Sequence, residues 1–169
     1  MRLLIHDANV LIDLLDIGLL DEAMAAPYIM ETTDLVEYEI VDTEQASAIK
    51  RCTARGLLTV LSSTIEQLTK ISEMQNNCPK LTLADCSVVY FAQIREGIVL
   101  SGDGRLRKEA EHQHLEVHST PWLLDLMVSG NLLTPKTAIE KLKQLMDINQ
   151  RLPRNECLSL IEAWERLVG

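Results

Sequence analysis

Residues 3–12 read LLIHDANVLI, so that a short apolar run, Leu3 to Ile5, comes just before the carboxylate of Asp7. The run lacks any alternation of apolar and polar residues, which is typical of a parallel strand buried on both faces. A helical pattern of apolar residues begins again at Val10. Ligands of open parallel sheets bind at the carboxyl ends of the strands. Asp7 is therefore a candidate functional residue.

The same alternation of apolar runs and helical stretches continues through the first two thirds of the chain. Further strands are predicted near residues 28–30, 57–61, 98–100 and 115–117. Helices are predicted between them, near residues 9–20, 64–74, 82–95 and 106–110. This pattern predicts a three-layer α/β/α sandwich around a central parallel five-stranded sheet.

The last third of the chain carries only helical patterns. Thr134 before Pro135 is typical of a helix start, and Asn155 is the predicted cap of a last helix. We therefore expect a body, residues 1–120, and a helical C-terminal extension, residues 121–169, packed on the same domain.

The net charge of −9 is carried by the first 50 residues, which hold 2 Lys and Arg against 11 Asp and Glu. A uniformly basic coat for nucleic acid is therefore excluded. A local basic patch, a cationic protein partner or an acidic site neutralised by a metal ion all remain open.

The composition is that of a protein with a buried core, since 47% of residues are hydrophobic and 24% are charged. The four cysteines show no zinc-ligand spacing, and no apolar run is long enough to span a membrane. We expect a cytoplasmic protein with reduced thiols and no membrane partner.

Three further carboxylates interrupt apolar patterns. Asp103 follows the strand predicted at 98–100, as Asp7 follows the first strand. Glu39 falls within the apolar stripe of its predicted helix, whereas Asp34 and Glu37 resemble a capping box. Asp85 also lies on an apolar stripe, but its spacing from Thr82 fits a capping box equally well.

Asp7, Glu39, Asp85 and Asp103 cannot share a pocket without a counter-charge. One pair of like charges 4 Å apart costs about 4 kcal/mol at an effective dielectric of 20. A hard cation with oxygen ligands, Mg²⁺ or Mn²⁺, removes that cost. The chemistry that follows is metal-assisted hydrolysis of a phosphodiester.

Four neighbouring residues are candidates for substrate binding. The side chains of Asn9 and Ser101 lie two residues from Asp7 and Asp103, although turn and helix-start chemistry explains them equally well. Arg105 and Arg107 belong to the one dense basic cluster beside a candidate acid and are suited to grip a phosphodiester backbone. A solvated helix face is the alternative interpretation of that cluster.

The four carboxylates in their contexts resemble the acidic set of the PIN-domain ribonucleases. The similar stretches are Asp7-Ala8-Asn9-Val10-Leu11-Ile12, Val36-Glu37-Tyr38-Glu39-Ile40, Leu83-Ala84-Asp85 and Ser101-Gly102-Asp103. The second stretch selects Glu39 over Glu37. The resemblance covers roughly residues 1–120, and the helical tail is similar to that of an uncharacterised prokaryotic branch of the family.

The resemblance implies a sheet ordered 3-2-1-4-5, Mg²⁺- or Mn²⁺-dependent cleavage of RNA, and frequently a homodimer. Many members are VapC-type toxins held inactive by a small antitoxin, which would be a further partner. A non-catalytic PIN module that binds protein or RNA is the alternative function. A phosphotransfer domain would require Asp-x-Asp where Asp7-Ala8-Asn9 stands, and a GTPase would require Gly-x-x-x-x-Gly-Lys.

Overall fold

The computed structural model describes all 169 residues and contains one sheet of five parallel strands in the order β3-β2-β1-β4-β5. The strands are β1 Leu3–His6, β2 Ile29–Thr33, β3 Thr59–Leu61, β4 Ile98–Leu100 and β5 Val117–His118. All four strand pairs are parallel. The predicted fold class and the strand order are therefore confirmed.

Helices cover both faces of the sheet and form the C-terminal third. They are α1 Ala8–Asp16, α2 Leu20–Met24, α3 Asp34–Glu39, α4 Thr43–Ala54, α5 Ile65–Asn77, α6 Leu83–Arg95, α7 Gly104–His112, α8 Thr120–Ser129, α9 Pro135–Ile148 and α10 Arg154–Val168. No helix is both long enough and apolar enough to cross a membrane.

The central strand β1 fixes where a ligand can bind. The chain runs from β1 outward to β3 and then returns to place β4 on the other side of β1. The strand order thus reverses between β1 and β4, and a crevice opens at the carboxyl ends of these strands. The backbone amide of Asp7 donates to the carbonyl of Leu100 at 2.9 Å, so the ends of β1 and β4 lie side by side.

Several helix boundaries differ from those expected from the sequence. Helix α4 was not predicted, because its pattern is mostly polar and only Ile49 and Cys52 are buried. The single helix expected over residues 9–20 is two helices, separated by Gly18 with φ of +70°. The last helix is preceded by Pro153 rather than capped by Asn155.

The C-terminal helices are fastened to α1 through a buried carboxylate. Asp13 is 5% exposed and accepts hydrogen bonds from the Thr120 hydroxyl at 2.8 Å and the Asn149 amide at 3.0 Å. Farther along, Trp164 is buried and donates to Asp125 at 2.9 Å. The division of the chain at residue 120 stays a prediction.

Candidate metal centre

Asp7 is almost fully buried at the end of β1, where 3% of its surface is exposed. One carboxylate oxygen accepts the backbone amide of Ala8 at 2.7 Å. The other accepts the Asn9 side-chain amide at 3.0 Å and the Ser101 hydroxyl at 2.8 Å. All three donors are neutral, so the charge of Asp7 is oriented but not cancelled.

Asn9 and Ser101 join the ends of β1 and β4. The amide of Gly102 donates to the Asn9 side-chain oxygen, and the amide of Asp103 donates to the Ser101 hydroxyl, both at 3.0 Å. Ser101 has no exposed surface. In this structure the two side chains position Asp7 and Asp103, and direct contact with a substrate stays a prediction for Asn9 and Ser101.

Asp103 begins helix α7. One of its carboxylate oxygens, Oδ1, accepts the backbone amides of Arg105 at 2.8 Å and Leu106 at 3.2 Å. The Oδ2 oxygen accepts no hydrogen bond within the chain. The helix start thus holds one oxygen in place and leaves the other available to a ligand.

Asp85 is both a helix cap and a member of the acidic site. Its Oδ2 oxygen accepts the amide of Thr82 at 2.9 Å, and its own amide donates to the Thr82 hydroxyl at 3.1 Å. This is the capping box that was one of the two interpretations of Asp85 from the sequence. The cap leaves Oδ1 free, so the two roles weighed at the sequence level are compatible.

Glu39 ends α3 and is more exposed than its place in the apolar stripe indicated. The expected capping box of Asp34 and Glu37 is wrong, because the hydroxyl of Thr33 caps this helix by accepting the amide of Val36 at 3.1 Å. Asp34 instead accepts the amide and hydroxyl of Ser63, at 2.7 and 2.8 Å.

The carboxylates influence one another. Burial raises the pKa of Asp7 to about 7, hydrogen bonds from Ser101 and Ala8 oppose the rise, and the charges of Asp85 and Glu39 add to it. Burial and the charge of Asp85 likewise raise the pKa of Glu39. Burial raises the pKa of Asp85 against the hydrogen bonds from Thr82, and the charge of Asp103 adds to it. The fold therefore gathers all four into one electrostatic cluster.

No cation of the chain neutralises this cluster. The seven ion pairs of the structure involve none of the four carboxylates. As the side chains stand, no three His, Cys, Asp or Glu residues form a group that could hold a metal ion. The donor chemistry, with only oxygen ligands and an uncompensated negative charge, nevertheless fits a hard divalent cation.

The two arginines near Asp103 face different surroundings. The guanidinium of Arg107 is half-buried and donates to the backbone carbonyl of Ser101 at 3.2 Å. Arg105 is exposed, and its side chain makes no hydrogen bond or ion pair in the chain. Arg107 therefore supports the turn after β4, whereas Arg105 is available to a ligand.

A groove of about 600 Å³ adjoins the cluster and brings in residues that the sequence analysis did not single out. Asn9, Asp13 and Asp103 line one side, and Asn149 and Arg151 line the other. The sequence could have indicated that Asp13 is buried, because it lies between Val10 and Leu14, which belong to the core. Nothing local marks Asn149, since its partner is 136 residues away.

An all-parallel sheet ordered 3-2-1-4-5, with carboxylates where the order reverses, defines a PIN-like α/β fold. A family model described as a PIN domain, DUF3368, matches residues 3–166. The chain therefore belongs to the PIN-domain family. This fold is of the nuclease type, and PIN domains are usually metal-dependent nucleases that bind divalent metals.

One similar solved structure is the crystal structure of PAE2754 from Pyrobaculum aerophilum. The two chains share 16% identity with a TM-score of 0.53, over 75% of this chain and 98% of the other. At this identity the likeness concerns the fold alone. No curated protein matches the sequence significantly.

Proposed function

We propose that the protein is an Mg²⁺- or Mn²⁺-dependent endoribonuclease whose metal is held by Asp7, Glu39, Asp85 and Asp103. One observation carries the proposal: Asp7 is 3% exposed, lies among like charges and has no cationic partner in the chain. A buried carboxylate of this kind needs either a proton or a counter-ion, and a bound divalent cation would let Asp7 stay ionised at neutral pH. Family membership supports the nuclease chemistry.

An ion held by these carboxylates would supply an activated water molecule and stabilisation of the charge on the scissile phosphate. Ser101 and Asn9 hold the Asp7 carboxylate in one orientation through their hydrogen bonds to the same oxygen. The amides of Arg105 and Leu106 fix one oxygen of Asp103, and Thr82 fixes one oxygen of Asp85. These contacts prepare the ligand oxygens before the ion arrives, which limits the entropy lost on binding.

The substrate and partners of the proposal come from the resemblance to PIN ribonucleases. RNA is the proposed substrate. A toxin role restrained by a small antitoxin, and a homodimer, are the proposed biological setting.

The test measures Mn²⁺ binding by calorimetry for the wild type and Asp7→Asn, followed by cleavage of a mixed pool of single-stranded RNA. We expect Asp7→Asn to lose Mn²⁺ binding and to slow cleavage by about a hundredfold to a thousandfold, the scale seen when one charge-stabilising group is removed. Asp42→Asn is the matched control, since Asp42 also caps a helix, α4, but is exposed and is not one of the four proposed ligands. Equal Mn²⁺ binding by wild type and Asp7→Asn would overturn the site assignment.

A second candidate function is a PIN module that binds protein or RNA without cleaving it. The observation in its favour is that no three of the acidic side chains stand as a group that could hold a metal ion. The same experiment separates the two functions. Absence of Mn²⁺ binding and cleavage in the wild type, together with retained RNA or protein binding, would favour the non-catalytic module.

A further inference from the structure

A second groove, of about 530 Å³, is lined by residues that neighbour Asp85 and Asp103 in sequence. Lys80 and its neighbours in the α5–α6 connection form one wall, and Arg105 and Lys108 of α7 form the other. We call this the cationic groove. Lys80, Arg105 and Lys108 are all exposed.

Both walls of the cationic groove begin at a member of the acidic cluster. The backbone amide of Arg105 donates to Asp103 at 2.8 Å. Lys80 lies two residues before Thr82, whose amide donates to Asp85 at 2.9 Å. A chain-like ligand that reaches the carboxylates can therefore continue directly into the groove.

The three cations of the groove have no partner within the protein. None of them takes part in any of the seven ion pairs, which use other residues. The one acid of the groove, Glu109, accepts a hydrogen bond from the Gln113 amide at 2.8 Å. The groove therefore keeps an excess of positive charge in a chain whose net charge is −9.

The first groove, which Asp103 of the cluster lines, differs in charge. Its lining includes Asp13, Asp16 and Asp103 against one arginine, Arg151. A polyanion crossing the acidic cluster is thus attracted strongly on one side only. Three unpaired cations in one groove suit an extended ligand with several negative charges, because each cation can contact a separate phosphate.

We propose that Lys80, Arg105 and Lys108 form a subsite for the phosphates of a single RNA strand next to the scissile phosphate, on one side of it only. The inference rests on the proposed ribonuclease function and adds where and how the strand is held. Arg105 and Lys108 are three residues apart and share a helix face, whereas Arg107 between them turns to the Ser101 carbonyl. Arg107 is therefore a positioning residue and lies outside the subsite.

The test measures binding of fluorescent single-stranded RNA to the full-length protein over a range of salt concentrations in EDTA, where no cleavage occurs. Each phosphate contact to a single strand adds about −0.7 to the slope of log K against log salt. Replacing Lys80, Arg105 and Lys108 by alanine is expected to make the slope less steep by about 2 in total. The charge-matched control replaces Lys50, Lys136 and Arg166, which line neither groove.

An unchanged slope in the groove variant, or an equal change in the control, would overturn the subsite. Strands extended from a minimal RNA in either the 5′ or the 3′ direction give the second readout. The proposal is supported if wild-type binding strengthens when the RNA is extended in one direction only, and if neither extension strengthens binding to the groove variant. Equal strengthening of wild-type binding by both extensions overturns the proposal. Mn²⁺ binding lost in Asp7→Asn tests the ribonuclease separately, since this loss does not depend on the groove.

Discussion

Asp7 and Glu31 are two carboxylates on neighbouring strands, each 3% exposed, with opposite surroundings. Glu31 receives both Nε and Nη2 of Arg95 in a two-pronged ion pair. Asp7 receives only neutral donors and lies beside Asp85 and Glu39. The fold can therefore neutralise a buried acid with its own arginine, and it does so for one of the two. At Asp7 no cation of the chain supplies the counter-charge, and in the proposed function a metal ion would supply it.

The largest effect on stability is expected when the neutralised acid loses its partner. Arg95→Met leaves Glu31 buried without a counter-charge and is expected to lower the free energy of unfolding by about 3 kcal/mol. This is the low end for buried pairs, because the Arg95 side chain is 39% exposed. Denaturant unfolding measures the change.

The control for Arg95→Met is Arg55→Met, which removes the ion pair between Arg55 and Asp21. The two side chains of that pair are 58% and 59% exposed. We expect a loss below about 1 kcal/mol there. Equal losses in the two variants would show that the Glu31 pair is no more important to stability than a surface pair.

Asp7→Asn is expected to change stability in the opposite direction. Removing the charge removes the cost of burying it and the repulsion from Asp85 and Glu39. The substitution also weakens some of the hydrogen bonds that the Asp7 carboxylate accepts. The free energy of unfolding of the metal-free protein is expected to rise by about 1 kcal/mol. Thermal unfolding in EDTA checks the sign, and added Mn²⁺ should raise the Tm of the wild type alone. A fall as large as that of Arg95→Met would mean that Asp7 is a structural acid like Glu31.

Asp13 is intermediate between Glu31 and Asp7, since it accepts two neutral donors but is not a member of the acidic cluster. Its substitution is expected to have the smallest effect on stability. Burial raises the pKa of Asp13 against the hydrogen bonds from Thr120 and Asn149. The folded state therefore holds the proton more tightly, and this contribution to stability is lost as pH rises from 3.8 through the raised pKa. The stability of the wild type relative to Asp13→Asn should fall over that range in urea titrations.

Asp21→Asn provides a comparison of opposite sign to Asp13→Asn. Hydrogen bonds from Cys52 and Arg55 lower the pKa of Asp21. Its contribution is therefore present above the ordinary value of 3.8 and is lost as pH falls through the lowered pKa. If the stability difference from the wild type changed with pH in the same direction for both variants, the surroundings assigned to Asp13 and Asp21 would be wrong.

The contrast between Asp7 and Glu31 also shows what the sequence could reveal. Asp7 and Asp103 stand out because each follows a short apolar run, and Asp85 because it lies on the apolar stripe of its helix. These signals are local. The features that decide the charge of each site are distant in sequence: Ser101 is 94 residues from Asp7, and Arg95 is 64 residues from Glu31.

Contacts between residues distant in sequence also explain which predictions were wrong and which features were missed. The Asp34–Glu37 capping box failed because Thr33 was the better-placed hydroxyl and because Ser63, from beyond β3, took the Asp34 carboxylate. The cationic groove joins Lys80 to Arg105 and Lys108, so the basic run around residues 105–108 showed only one of its walls. Arg105 and Arg107 both lie on α7, and only the structure shows that Arg107 contacts the Ser101 carbonyl whereas Arg105 is exposed.

Three of the four proposed ligands also begin helices: Asp7 caps α1, Asp85 completes the capping box of α6 and Asp103 caps α7. Asparagine and serine serve nearly as well as aspartate at N-cap positions such as those of Asp7 and Asp103. A single nucleotide change from aspartate to asparagine can thus remove the charge while the helix start survives. Natural selection could silence this centre in one step and keep the scaffold, a short evolutionary route from a catalyst to a protein that only binds.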